Sequence, residues 1–124
     1  MAHLWSGRFA GDPDAVLFEF GRSFRFDRRL FDHDVAGSLA WADALEKAGV
    51  LTAADASRIR TALDEIAARG ASDPGFFASE DAQHDEDVHS FVERELIARV
   101  GTRGGGFTPA ARETNRFHLI CACT

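Results

Sequence analysis

Apolar residues recur at helical spacing along most of this chain, and no stretch alternates polar with apolar as a half-buried strand does. From Asp27 to Ala48 there is no proline, and Leu30, Phe31, Val35, Leu39, Ala42 and Leu45 fall on one helical stripe. Gly49 is placed to stop that helix, and Thr52, with Asp55 three residues on, is placed to cap the next. The second stripe is Ala56, Ile59, Leu63, Ile66 and Ala67, with its end near Gly70. A short helix is predicted over 14–20, after Asp12-Pro13 and before Gly21. A last one is predicted over 86–100, with Val88, Phe91, Val92, Leu96 and Val100 inward and Gly101 as its stop. Residues 70–84 hold proline, glycine, serines and acids, and read as a loop. The expected class is all-α.

Length and charge narrow the function. At 124 residues the chain is at most one small domain, long enough to bury a real core. Its net charge of −6 makes nucleic acid and anionic membrane poor partners, since both attract clustered positive charge. No apolar run is long enough for a membrane span, and the first residues lack the pattern of a secretion signal, so the expected address is the cytoplasm. Cys121 and Cys123 stand one residue apart and build no disulfide framework.

The polar clusters give little chemistry by spacing alone. In His84-Asp85-Glu86-Asp87-Val88-His89, the offsets of two and five do not gather ligands on one helix face, so no metal site is expected. The acids there suit a helix start, where they meet the positive end of the macrodipole. Asp32-His33-Asp34 points around its helix and reads as a solvated face. Gly101 to Gly106 is glycine-rich but lacks the strand before it and the Lys-Ser/Thr ending of a phosphate loop. The segment Phe18 to Arg29 interleaves phenylalanines with four arginines. Either those arginines hold an anionic substrate, with Ser23 donating a hydrogen bond, or the phenylalanines pack while the arginines reach for water.

Four segments taken together resemble the N-terminal part of the argininosuccinate lyase family, within the fumarase/aspartase superfamily. They are Leu4-Trp5-Ser6-Gly7-Arg8-Phe9, then Phe20-Gly21-Arg22-Ser23 with Asp27, then Leu45-Glu46-Lys47-Ala48-Gly49. The last is Glu86-Asp87-Val88-His89 followed by Glu93-Arg94-Glu95-Leu96. The resemblance spans roughly residues 3–101 and implies the superfamily's N-terminal helical domain, here over 1–101, without its long central helical bundle. It implies elimination of argininosuccinate to arginine and fumarate, in a homotetramer that uses no metal or organic cofactor. By the same resemblance Ser23 and Asp27 contact substrate, and Asp87 and His89 play supporting parts. No catalytic set is intact in this chain, which is expected to be inactive alone. A small all-α interaction module without chemistry is the alternative.

Beyond Gly101 the resemblance breaks. The family continues through a run close to H-T-G-R-S-R-N-[DE]-Q, whereas this chain reads Phe107-Thr108-Pro109-Ala110-Ala111-Arg112-Glu113. Codons regrouped to start on each third base permit that missing run. A shift of reading frame between Gly101 and Phe107 is therefore expected, with 102–124 an out-of-frame, poorly ordered tail.

Overall fold

A computed structural model describes residues 14–102. Met1–Pro13, with the Leu4–Phe9 segment, and residues 103–124, with the expected frame shift and both cysteines, lie outside the described residues. The elements in order are α1 (Ala15–Gly21), α2 (Phe24–Asp27), a 3₁₀ turn at Arg28–Leu30, α3 (Phe31–Lys47) and α4 (Ala53–Ser72). Two further 3₁₀ turns, Phe76–Ala78 and Asp81–His84, lead into α5 (Val88–Thr102). Every described element is helical, which is the all-α class the periodicity predicts.

Helices α3, α4 and α5 pack on one another around a single core. Its centre is a cluster of phenylalanine rings. Phe24 stacks on Phe91 at 5.1 Å between centroids, Phe76 meets Phe91 edge-on at 4.9 Å, and Phe31 meets Phe77 edge-on at 5.0 Å. Such offset and edge-to-face pairs gain roughly 0.5–1.5 kcal/mol each beyond the burial of the rings. Val35 and Ala42 from α3, Ile59, Leu63 and Ile66 from α4, and Val92, Leu96 and Val100 from α5 continue the core. The inward stripes of α4 and α5 are thus largely those set by their sequence periodicity.

The α3–α4 connection is local chemistry. Gly49 has φ +72°, the N–H of Gly49 bonds to Glu46 O at 3.0 Å, and that of Val50 to Leu45 O at 2.9 Å. This is the paired closure of a Schellman motif, and glycine takes its left-handed position without a Cβ penalty. Thr52 then accepts the Asp55 N–H at 3.1 Å and caps α4.

Four boundaries differ from the sequence expectation. The long helix starts at Phe31 rather than Asp27, because the Asp27 carboxylate serves Ser23 and the start of α5 instead of capping its own segment. Leu30 is consequently left exposed rather than on the inward stripe. Helix α4 passes through Gly70 and ends at Ser72, since Asp73 precedes Pro74 and is pushed to extended backbone. Gly70 is a packing residue: a Cβ there would sit 2.3 Å from Phe31 Cε1. The loop after it contains the two 3₁₀ turns, which bring Phe76 into the core. Helix α5 begins at Val88 rather than Glu86 and runs through Gly101 to Thr102.

Candidate functional site

The chain links α1 to α2 through Arg22 and Ser23, and this link is bonded to the residues that start α5. The N–H groups of Ser23 and Phe24 donate to Glu86 O at 2.8 and 3.1 Å. Arg22 Nε donates to Asp85 O at 3.0 Å, and its Nη2 reaches Ala82 O at 3.5 Å. Ser23 Oγ donates to Asp27 Oδ2 at 2.6 Å, and the other oxygen of Asp27 accepts the Val88 N–H at 3.0 Å. Val88 is the first residue of α5, so Asp27 supplies, from 61 positions away, an acceptor for a donor with no partner inside the helix. Asp87 Oδ1 accepts the Ser90 N–H at 2.7 Å and satisfies a second such donor.

The first turn of α5 also carries His89, whose Nδ1 lies 3.0 Å from Asp34 Oδ1 on α3. That pair corrects the reading of Asp32-His33-Asp34 as one solvated face: Asp32 and His33 are exposed, but Asp34 is half-buried against His89. The acids before α5 are not simply a solvated helix start either. Asp85 is 7% exposed and takes a bidentate contact from Arg94, with Nη2 to Oδ2 at 2.9 Å and Nε to Oδ1 at 3.1 Å. Burial raises the Asp85 pKa above the ordinary aspartate value, and the Arg94 hydrogen bond and charge oppose that only in part. Arg94 also bonds Glu95 Oε1 at 2.8 Å, and Glu95 bonds Arg99 at 2.6 Å, so the buried carboxylates Asp85 and Glu95 are both compensated.

The four residues singled out by sequence therefore converge. Ser23, Asp27, Asp87 and His89 all meet where α2 abuts the start of α5, although two segments of chain contribute them. Sequence reasoning missed Asp34, Arg22 and the Asp85–Arg94 pair as members of this junction. Asp34 and His89 stand 55 residues apart, a pairing with no local spacing signal. The single hydroxyl proton of Ser23 is donated to Asp27 Oδ2. Ser23 then offers a further group only its lone pairs.

Among the described residues, no three His, Cys, Asp or Glu side chains gather as a metal-ligand set. A shallow pocket of about 110 Å³ lies at the far end of α5, lined by Ser57, Arg58, Thr61, Glu65 and Arg99. Arg58 there already donates to Val100 O at 3.1 Å, and Arg99 to Glu95, so the pocket is lined by committed groups. Among the described residues, no helix is long and apolar enough to cross a membrane.

A family model described as "Lyase" matches residues 7–118. The match takes in both segments of the junction, and it carries with it elimination chemistry on a small-molecule substrate. The helical architecture agrees with the N-terminal domain of that group. The chain belongs to the lyase family of the fumarase/aspartase superfamily.

Proposed function

We propose that this chain is the N-terminal helical domain, residues 1–101, of an argininosuccinate lyase, a cytoplasmic homotetramer of arginine biosynthesis. The reaction breaks the carbon–nitrogen bond of argininosuccinate without water. A base takes a proton from the succinyl carbon next to a carboxylate, and the resulting carbanion is stabilised by that carboxylate. The electron pair then forms the double bond of fumarate as the guanidinium nitrogen leaves, protonated by an acid, as arginine. Such a reaction needs poised acid and base groups and donors aimed at the developing charge.

One observation carries the reading: the two family-like segments around Ser23 and Asp87 are bonded into one junction. Within it Ser23 is the substrate contact. Because its proton is held by Asp27, it accepts from the N–H groups of the guanidinium end rather than donating to a carboxylate. Asp27 sets that direction and is the second substrate-side residue. Asp87 and His89 are supporting groups, fixed by the Ser90 N–H and by Asp34, and neither is assigned as the base. The tail from 102 on is assigned as out of frame from its departure from the family's H-T-G-R-S-R-N run, while the family match itself extends to residue 118, and neither metal nor organic cofactor enters the scheme.

The test is an amide NMR titration of the 124-residue chain with argininosuccinate and, separately, adenylosuccinate and malate. Argininosuccinate alone is expected to shift the Ser23, Phe24, Val88 and His89 amides, and Ser23→Ala is expected to weaken that binding about tenfold, the equivalent of roughly 1.4 kcal/mol. No shifts at the junction, or equal shifts from all three ligands, would return the chain to the reading of an interaction module.

A further inference from the structure

The starts of α3 and α5 lie side by side. Phe31 packs against Gly70 while Arg60 reaches Asp43 and Glu46, so α3 and α4 run antiparallel. Arg58 near the start of α4 reaches Val100 O near the end of α5, so those two run antiparallel as well, and α3 and α5 are parallel. A polar contact joins the two starts, His89 Nδ1 to Asp34 Oδ1 at 3.0 Å. A carboxylate only accepts, so this bond places a hydrogen on Nδ1. The second oxygen of Asp34 is enclosed and has no hydrogen-bond partner. Ser90 Oγ and Trp41 Nε1 are enclosed without partners too, so neither serves it. Among the described residues His89 is thus the one side chain that compensates this half-buried carboxylate. Such a burial is costly unless the partner carries the opposite charge.

The groups around the imidazole favour its charged form. Asp34 stands in the first turn of α3, where the macrodipole keeps a carboxylate ionised. Glu93, one turn along α5 from His89, is a second buried carboxylate. Glu86 and Asp87 precede the ring in sequence, and Asp27 is bonded to the Val88 N–H. The cations at this end of the molecule are engaged elsewhere. Arg94 holds Asp85 and Glu95, and Arg22 holds Glu19 and the Ala82 and Asp85 carbonyls. Arg69 pairs with Asp73 over the Phe76 ring, and Arg25 lies over the Phe26 ring. Arg28, Arg29, Asp32 and His33 are exposed. The dipole of α5 opposes a positive charge in its own first turn, but Asp34 acts in direct contact and outweighs it.

We propose that Asp34 is a positioning residue of the junction, acting through protonated His89 as a clamp that holds the start of α5 on α3 and loosens when the proton is lost. His89 adjoins Val88, whose N–H is held by Asp27, so the clamp and the Ser23–Asp27 contacts share one turn of helix. The fold then raises the proton affinity of His89. Its stabilisation is full below the ordinary histidine midpoint and is lost as pH rises through the folded one. The consequence for substrate, weaker binding over the same range, rests on the reading of this junction given above. The clamp itself is tested without ligand, so the two fail separately. In a histidine NMR titration of the 124-residue chain, His89 is expected to titrate about one pH unit above the exposed His33. Between pH 6 and pH 8.5 the hydrogen-exchange protection of the Ser23, Phe24 and Val88 amides, relative to Ile59 to Ile66, should fall about tenfold, as linkage to one such unit requires. Asp34→Asn should lower the His89 midpoint to that of His33 and, like His89→Gln, remove the pH dependence of protection. A His89 midpoint at or below that of His33, or junction protection that follows α4 at both pH values, would overturn the proposal, and the unaltered chain gives both readings. A pH dependence that survives in a folded Asp34→Asn chain would assign it to another group and overturn it equally.

Discussion

Gly70 shows how a single missing methyl group sets a helix pair. It lies inside α4, and the Phe31 ring of α3 fills the space a side chain would take, with Cε1, Cζ and Cδ1 at 2.3, 2.8 and 3.2 Å from a built Cβ. That ring is 4% exposed and wedged among Phe76, Phe77 and Phe91, so it has nowhere to retreat. Gly70→Ala is therefore expected to destabilise the fold by about 1–3 kcal/mol, the ordinary cost of overpacking, despite the better helix propensity of alanine. Gly37, exposed on α3 with nothing within 4 Å of its Cβ, is the contrast. There alanine should gain about 0.5–1 kcal/mol. Urea titration of both variants checks the pair, and equal effects would remove Phe31 from the explanation. Sequence alone marked Gly70 as a helix end because glycine at the close of an apolar stripe has that meaning most often; close approach of a distant ring leaves no local trace.

At the level of elements, the bond that matters most is the one between α2 and α5. Asp27 holds the hydroxyl of Ser23 with one oxygen and the first N–H of α5 with the other. Asp27→Ala is expected to cost about 1–3 kcal/mol, combining a lost cap with a hydroxyl left without its acceptor, and Asp27→Asn should recover part of it. The direct readout is the Val88 amide, whose proton shift should move upfield in the alanine variant. A Val88 amide unmoved by Asp27→Ala would mean that the α5 start is held by Asp87 alone. The helices themselves were legible: Gly49, the Thr52 cap and the inward stripes of α4 and α5 sit where spacing and propensity place them. The α2 segment was not, because Asp27 looks from sequence like the head of its own helix. Its carboxylate is drawn instead to a donor 61 residues away. The candidate site was legible as residue types, through the resemblance of two segments, while their partners Asp34, Arg22 and Arg94 were hidden in long-range geometry.

For the whole molecule, the same junction sets an order of events in time. The α3–α4 pair closes across a turn of a few residues between Lys47 and Ala53, whereas the contacts of Ser23 and Asp27 with Glu86 and Val88 must close a loop roughly ten times longer. Closing the longer loop costs more chain entropy, and it is repaid only when α5 is already in place. The hairpin of α3 and α4 is thus expected to form before the Ser23–Asp87 contacts close, and those contacts to open before the hairpin does. Native-state hydrogen exchange should accordingly give lower opening free energies for the Ser23, Phe24 and Val88 amides than for those of Ile59 to Ile66, in one cooperative unit; equal values throughout would mean a single all-or-none opening. The residues proposed to meet substrate thus sit on a contact that closes a long loop, and a bound molecule, by binding only the closed form, would lengthen its lifetime.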